Sequence, residues 1–256
     1  YILSTTADTF DPNSSDQVTV NLGTATTTDS NFVTELGTLA AKSGVISVTG
    51  TITLDSTRAI AVGSISNITK ANGIDVNFVT SNAVSVDTAE GLIGKTDGTA
   101  DFSQGLSDAF GAFVDSETDA SNLSTKMGTI KGKDDNAPVS ITTTLTTAAH
   151  MKALNALAGN YSGAITATVT STEAILDDIT ASNLNTTVNI TDDVDIVEYA
   201  TIADTTSNNV QFDTSGSNTG RIKDALADLY DAGSRDQNRV ARLRLSLIHI
   251  SEPTRL

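Results

Sequence analysis

Short segments in which β-branched apolar residues alternate with polar ones recur in the second half of the chain. Alternation with a period of two residues is typical of a β-strand that buries one face. Threonine, serine and asparagine take the polar positions, so we expect them to cover the solvent face of a sheet. The centres of the segments lie about 22 to 26 residues apart, a period typical of repeat architectures. The segments are Val139–Thr142, Ala164–Val169, Thr187–Ile190 and Asn209–Phe212.

Each predicted strand is followed by hydroxyl or acidic residues and then by a short helical pattern. Thr147 can cap the first helix, in which Met151, Leu154 and Leu157 recur at helical spacing before Gly159. The other three helices are predicted to follow Ser171 and Thr172, Asp192 and Asp193, and Thr219 and Gly220; the last has Ile222, Leu226 and Leu229 on one face and ends at Gly233.

These units predict a repeat fold, because a strand with a helix of about eight residues cannot bury its apolar side alone and must stack on its neighbours. We expect an α/β repeat over residues 139–233, with solenoid-like stacking of short parallel strands and short helices. The repeat length is about 21 to 24 residues, and a shift of about 21 residues aligns Val169 with Ile190. The alternative is an all-β Ig-like sandwich.

Residues 1–131 are less regular and are compatible with divergent repeats. A polar, turn-rich segment from Lys131 to Pro138 separates them from the second half. Strands are predicted at Gln17–Leu22, Val45–Leu54, Arg58–Ile65, Ile74–Val79 and Ala83–Val86, and helices at Asn31–Lys42, Asp101–Val114 and Ser121–Ile130.

The last residues differ from the rest of the chain. Residues 234–244 form an arginine-rich basic tail of doubtful origin. Residues 245–256 contain the run LSLIHISEPTR, which resembles the translated adapter of a sequencing library. We therefore treat residues 245–256 as an adapter artefact and exclude them from the prediction of fold and function. We expect the chain to be a fragment of a longer protein.

Charge narrows the range of partners. The chain has 31 acidic and 15 basic residues and a formal net charge of -16, so its field repels nucleic acid and anionic lipid. No segment is apolar and long enough to span a bilayer, so we expect no membrane insertion. Cysteine and tryptophan are absent, which excludes disulfides, thiolate chemistry and tryptophan platforms for sugars.

No catalytic constellation is visible in the sequence, so we predict that the protein is not an enzyme and assign no catalytic or cofactor-binding residue. His150 is the one histidine outside the adapter run, and no Gly-x-Ser-x-Gly elbow accompanies it. We interpret His150 as a helix-surface residue.

Calcium is the one candidate cofactor. Oxygen-rich loops that suit this hard cation occur at Asp8–Asn13, Asp134–Asn136 and Asp192–Asp195. The run Asp134–Pro138 also resembles the end of the cadherin inter-domain calcium linker. None of the loops has the EF-hand spacing, so we assign no metal ligand.

Several segments resemble the degenerate repeats of giant cell-surface and hemolysin-like proteins of marine cyanobacteria and related bacteria. They are Thr146–Leu157, Ser162–Val169, Ala181–Asn185 and Ile222–Gly233. The resemblance implies secretion and an extracellular or cell-surface location. It implies a structural or adhesive repeat segment of a large surface protein, whose partners are neighbouring repeats, surface glycans or other cell-surface proteins. The alternative function is a calcium-dependent adhesin or binding module.

Overall fold

The computed structural model describes residues 12–13, 15–27, 36, 38–54, 74–118, 122–180, 184–213 and 220–223. Within these residues the fold is α/β, with short helices and two parallel sheets. The strands are β1 (Val18–Thr27), β2 (Val45–Leu54), β3 (Ile74–Thr80), β4 (Ala100–Asp101), β5 (Leu106–Asp108), β6 (Val139–Leu145), β7 (Ile165–Ser171), β8 (Leu184–Ile190) and β9 (Val210–Phe212). The helices are α1 (Val86–Ile93), α2 (Phe110–Phe113), α3 (Thr125–Lys131), α4 (Ala148–Asn160), α5 (Glu173–Leu176) and α6 (Ile196–Asp204).

The strands of each sheet follow one another in chain order. The first sheet has the order β1-β2-β3-β4 and the second has the order β5-β6-β7-β8-β9. Every ladder between these strands is parallel. The predicted α/β class with parallel strands and short helices is therefore confirmed. The Ig-like alternative is wrong for the described residues, because a sandwich of that kind is built from antiparallel strands.

In the second half, the four predicted strands correspond to β6 to β9, with bounds that differ by up to three residues. The 21-residue alignment is wrong in the strands, because the ladder pairs Ser171, not Val169, with Ile190. The fourth predicted helix is wrong at its start, where Ile222 forms a parallel bridge with Val194. The remainder of that prediction, from residue 224, lies outside the described residues, as do residues 234–256.

In the first half, three predicted strands correspond to β1, β2 and β3. The strand predicted at Ala83–Val86 is wrong, because Ser85 caps helix α1 through a hydrogen bond from the backbone N–H of Thr88. The helix predicted at Asp101–Val114 is also wrong, since strands β4 and β5 take up part of it and only α2 is helical. Its phenylalanines are fully buried, but Phe102 lies in the loop after β4, and Phe110 and Phe113 lie in α2.

The remaining first-half predictions lie partly or wholly outside the description. Helix α3 agrees with the prediction at Ser121–Ile130 from residue 125 onward. Of the helix predicted at Asn31–Lys42, residues 36 and 38–40 are helical, residues 41 and 42 form a turn, and the rest lie outside the described residues. The strand predicted at Arg58–Ile65 lies outside the described residues.

The buried core extends through both halves, and in the second half it lies between the sheet and the helices. Alternate residues of β7 and β8 point inward, and Ile165, Val169 and Val188 are each 0% exposed. Helix α4 begins after Thr147, whose hydroxyl accepts a hydrogen bond from the backbone N–H of His150. The inward residues predicted for this helix, Met151, Leu154 and Leu157, are fully buried. Burial of such side chains stabilises the fold by about 1.5 to 3 kcal/mol each.

Two segments 110 positions apart share one local structure. In the segment from β3 to Phe102, the hydroxyl of Thr96 donates to the carbonyl of Val76 at 2.6 Å. In the segment from β8 to Phe212, the hydroxyl of Thr206 donates to the carbonyl of Thr186 at 2.5 Å. Both threonines also accept a hydrogen bond from the backbone N–H two residues later.

The same two segments also have the same backbone contacts at a valine. Each has a single bridging valine, Val84 or Val194, between the strand and the helix, and each valine pairs in parallel with a later segment. The backbone N–H of each valine donates at 3.1 Å, to the carbonyl of Gly105 or of Arg221. One structural unit of the second half, the segment from β8 to Phe212, is therefore also present in the first half.

Candidate functional site

Uncharged polar side chains form rows across the solvent side of the second sheet. We call this surface the outer face. The ladder register sets its rows: Thr168 lies between Thr144 and Thr187, and Asn189 lies between Thr170 and Gln211. These side chains are exposed or half-buried, whereas their neighbours along β7 and β8 are buried. The members of the outer face are Ser140, Thr144, Thr166, Thr168, Thr170, Asn185, Thr187, Asn189, Asn209 and Gln211.

Hydrogen bonds between side chains hold part of the outer face in place. The amide nitrogen of Asn189 donates to the hydroxyl of Thr170 at 2.9 Å. The amide nitrogen of Gln211 in turn donates to the amide oxygen of Asn189 at 2.7 Å. A chain of side-chain hydrogen bonds therefore crosses three strands, from β7 to β9.

Helix starts are capped by side chains of the following unit. The first backbone N–H of α1, on Val86, donates to a carboxylate oxygen of Asp108 at 3.1 Å. The first N–H of α5, on Glu173, donates to Asp192 at 2.9 Å. Because the first N–H groups of a helix have no partner within it, these contacts tie each unit to the next.

The loop Asp134–Asn136 uses its first carboxylate for backbone capping. One oxygen of Asp134 accepts from the backbone N–H of Phe102 at 2.8 Å, and the other accepts from the N–H of Asn136. In Asp135, Oδ2 accepts from the hydroxyl of Ser162 at 2.7 Å. Asp135 Oδ1 is buried and has no hydrogen-bond partner in the structure. This oxygen is the one buried side-chain atom of the loop that lacks a partner and that a bound cation would provide with one.

Tyr161 closes the inner side of the same loop. Its phenol donates to the carbonyls of Asp134 and Ala137, at 3.2 and 3.0 Å. Burial, and then the negative charges of Asp134 and Asp135, raise the pKa of the Tyr161 phenol. The phenol therefore stays protonated and keeps both hydrogen bonds.

The loop Asp192–Asp195 directs its three carboxylates at different partners. Asp192 caps α5, as described above. Asp193 forms ion pairs with Arg221 and Lys223, and the hydrogen bond from Lys223 is the main reason that its pKa is lowered. Asp195 and Glu198 form a capping box at the start of α6. The carboxylates of this loop therefore cap two helices and form ion pairs.

Glu173 has carboxylates on two sides. Burial raises its pKa to about 7, and a hydrogen bond with Asp177 and the negative charges of Asp177, Glu198 and Asp192 contribute to the rise. Glu173 and Asp177 lie one helical turn apart, so they can share a proton. Sequence reasoning missed this pair, although two carboxylates four positions apart in a predicted helix were the signal that could have found it.

His150 contacts the backbone and one aromatic ring. Its Nδ1 accepts a hydrogen bond from the backbone N–H of Thr146 at 3.1 Å. Its ring lies edge-on to Phe110, with 6.0 Å between the ring centroids. These contacts place the imidazole at the start of α4, where it orders the turn from β6.

The candidate calcium loops do not form a metal-binding cluster among the described residues. Among the described residues, no group of three or more His, Cys, Asp or Glu is arranged to hold a metal ion. Of the loop Asp8–Asn13, only residues 12 and 13 are described. No helix within the described ranges has the length and apolar character needed to cross a membrane.

The outer face is a set of ten uncharged polar side chains on one side of the second sheet, and the sequence pattern predicted its residue types. Comparison of the chain with models of protein families, with curated proteins and with solved structures finds no match.

Proposed function

We propose that the chain is a structural or adhesive repeat segment of a large secreted bacterial surface protein, and that it is not an enzyme. The observation that carries the proposal is the chain-order pairing of parallel strands in both sheets. A chain built in this way can be lengthened by adding units, which suits a protein that must extend from a cell surface.

Solenoid-like stacking is part of this proposal. The contacts from Val86 to Asp108 and from Glu173 to Asp192 each join a unit to its neighbour, which supports it. The segments that end at Phe102 and Phe212 have the same local structure. This likeness also supports stacking, because units of one kind then recur in both halves. Neighbouring units are therefore the first partners of each unit.

Hydrogen exchange on the whole chain tests the stacking. Val188 is 0% exposed in β8, and truncation to alanine leaves a cavity there. In a stack of units, Val188→Ala weakens amide protection in β7, β8 and β9 and has little effect in β1 and β2. An equal loss of protection in every strand would contradict a stack, because it would show one cooperative core.

Labelling of intact cells tests the surface location. Antibodies against the purified chain are applied to cells that carry the gene, before and after permeabilisation. We expect labelling of intact cells. Labelling that requires permeabilisation would overturn the surface proposal, whatever the exchange experiment shows.

A calcium-dependent adhesin module is the second candidate, and the unpartnered Asp135 Oδ1 is the observation that favours it. A cation held by the native state raises the melting temperature by mass action. Calcium at millimolar concentration is compared with chelator, for the unaltered chain and for Asp135→Asn. A rise that Asp135→Asn abolishes supports the module, and equal melting curves exclude it.

A further inference from the structure

We propose that the outer face binds ice. The surface consists of ten hydroxyl and amide side chains on β6 to β9 and the residue before β9, arranged in rows by the strand register. This activity does not depend on the surface location or on the repeat number of the parent protein.

The absence of charge on the outer face indicates a neutral ligand. The chain has a net charge of -16, yet none of the ten side chains is ionisable. Acidic side chains in the same units lie in the caps and loops already described, such as Asp134, Asp192 and Asp193. A charged surface holds a hydration shell that disrupts an ordered water lattice, and the outer face lacks such charges.

The geometry of the outer face is regular in two directions from β7 to β9, whereas the ladder between β6 and β7 has a register shift between Ser140 and Thr144. Neighbouring parallel strands lie about 4.8 Å apart, and alternate residues along a strand lie about 6.6 Å apart. The ladder between β7 and β8 holds this arrangement without a register shift over seven residue pairs, from Ile165 with Leu184 to Ser171 with Ile190. Both spacings are comparable with repeats of the ice lattice, so water bound in the rows can join a growing crystal.

The side chains of the outer face are held in place before binding. The hydrogen bonds from Gln211 to Asn189 and from Asn189 to Thr170 fix one row. Side-chain ladders of this kind also oppose the twist that sheets otherwise adopt. Binding to a rigid crystal therefore costs little additional side-chain entropy.

The composition of the outer face favours ice over a neutral sugar polymer. Aromatic rings are the usual apolar platforms for sugars, and none of the ten residues is aromatic. Five of the ten are threonines, which present a methyl group beside each hydroxyl. Methyl groups order nearby water while the hydroxyl groups anchor it.

The test is the growth of ice in a solution of the whole chain. We expect faceted crystals, a gap between the freezing and melting temperatures, and inhibition of recrystallisation. The variant Thr166→Lys with Thr187→Lys places two charges on the outer face and is expected to lose all three effects. The control Thr129→Lys with Thr201→Lys adds the same charge on helices α3 and α6, where both threonines are exposed, and is expected to keep them.

Circular dichroism and thermal melting confirm that each variant is folded. If the double variant does not fold, Thr166→Lys alone replaces it, because that side chain is exposed. Absence of a freezing gap in the unaltered chain would overturn the proposal, and so would an equal loss in both double variants. Binding to insoluble cellulose or chitin without an effect on ice would also overturn it and would assign the outer face to a polysaccharide.

Discussion

A carboxylate oxygen of Asp192 accepts a hydrogen bond from the backbone N–H of Glu173 at 2.9 Å, and so caps a helix that precedes it by a whole unit. Helix caps are usually local, as in the capping box of α6. The cap from Asp192 instead joins consecutive units through the backbone. Loss of its side chain therefore weakens the contact between two units as well as one helix.

We expect Asp192→Ala to lower the free energy of unfolding by about 1 kcal/mol, the usual contribution of a helix cap. Urea denaturation measures the loss, and hydrogen exchange at the Glu173 amide should become faster. Asp178→Ala is the control, because that residue is exposed and lies on the same segment. An equal effect of both substitutions would show that the charge, and not the cap, is responsible.

The two buried threonines Thr186 and Thr206 should respond in opposite directions to replacement by valine. The hydroxyl of Thr206 donates to the carbonyl of Thr186, whereas the hydroxyl of Thr186 is buried without a hydrogen-bond partner in the structure. Thr206→Val should lower the free energy of unfolding by about 1 to 3 kcal/mol, because it leaves the Thr186 carbonyl unsatisfied.

Thr186→Val should raise the free energy of unfolding by about 1 kcal/mol, since it removes a desolvated hydroxyl without changing the volume. Chemical denaturation of both variants checks the pair. The expectation fails if the two substitutions change stability in the same direction.

The protein should become less stable as the pH rises from about 4.5 to about 7. The pKa of Glu173 is raised from 4.5 to about 7 by burial and by neighbouring carboxylates, so between these values the folded state binds more protons than the unfolded state. Stability falls with rising pH wherever the folded state binds the extra proton. The slope should disappear in Glu173→Gln, which keeps the shape without the charge.

Melting temperatures recorded across this pH range provide the measurement. Asp178→Asn is the control, and it should keep the slope of the unaltered chain. If the slope survives in Glu173→Gln, other groups cause it and the proton-sharing pair with Asp177 is wrong.

Two glycines should show opposite effects when replaced by alanine. A methyl group on Gly98 would lie 2.5 Å from the carbonyl oxygen of Val76, which is backbone and cannot move aside. Gly98→Ala should therefore be destabilising. Gly128 lies in helix α3 with no atom within 4 Å of the added carbon, so Gly128→Ala should stabilise by about 0.4 to 1 kcal/mol.

Thermal denaturation of the two glycine variants is a direct comparison, because both introduce the same side chain. Stabilisation by Gly98→Ala would show that the close approach of the two backbones is absent in solution.

The strands were easier to predict than the short helices because they alternate cleanly. Val45–Leu54 agrees with β2 at both ends, and the helix after Thr147 was predicted from its cap and its apolar spacing. The helix predicted at Asp101–Val114 was wrong because its large apolar residues match a helical period by chance, while they fill the core from a loop, a strand and a short helix. A local pattern cannot reveal this, since burial there is decided by the neighbouring units.

The candidate site was predictable to the extent that it depends on residue type. Threonine and asparagine at outward strand positions were expected, but their alignment into rows depends on register. The strands β6 to β9 begin at residues 139, 165, 184 and 210, so the intervals between them are 26, 19 and 26 residues. Such uneven intervals hide the register from a search for one period.

The chain-order pairing of the strands also has a consequence for folding kinetics. Paired residues in the described ladders are between 19 and 33 positions apart, whichever part of the chain they belong to. Each added unit would close a loop of similar length. The mean sequence separation of contacting residues, divided by the chain length, would therefore fall as units are added. A chain of this kind can fold from one end, with each new strand pairing to the last one formed.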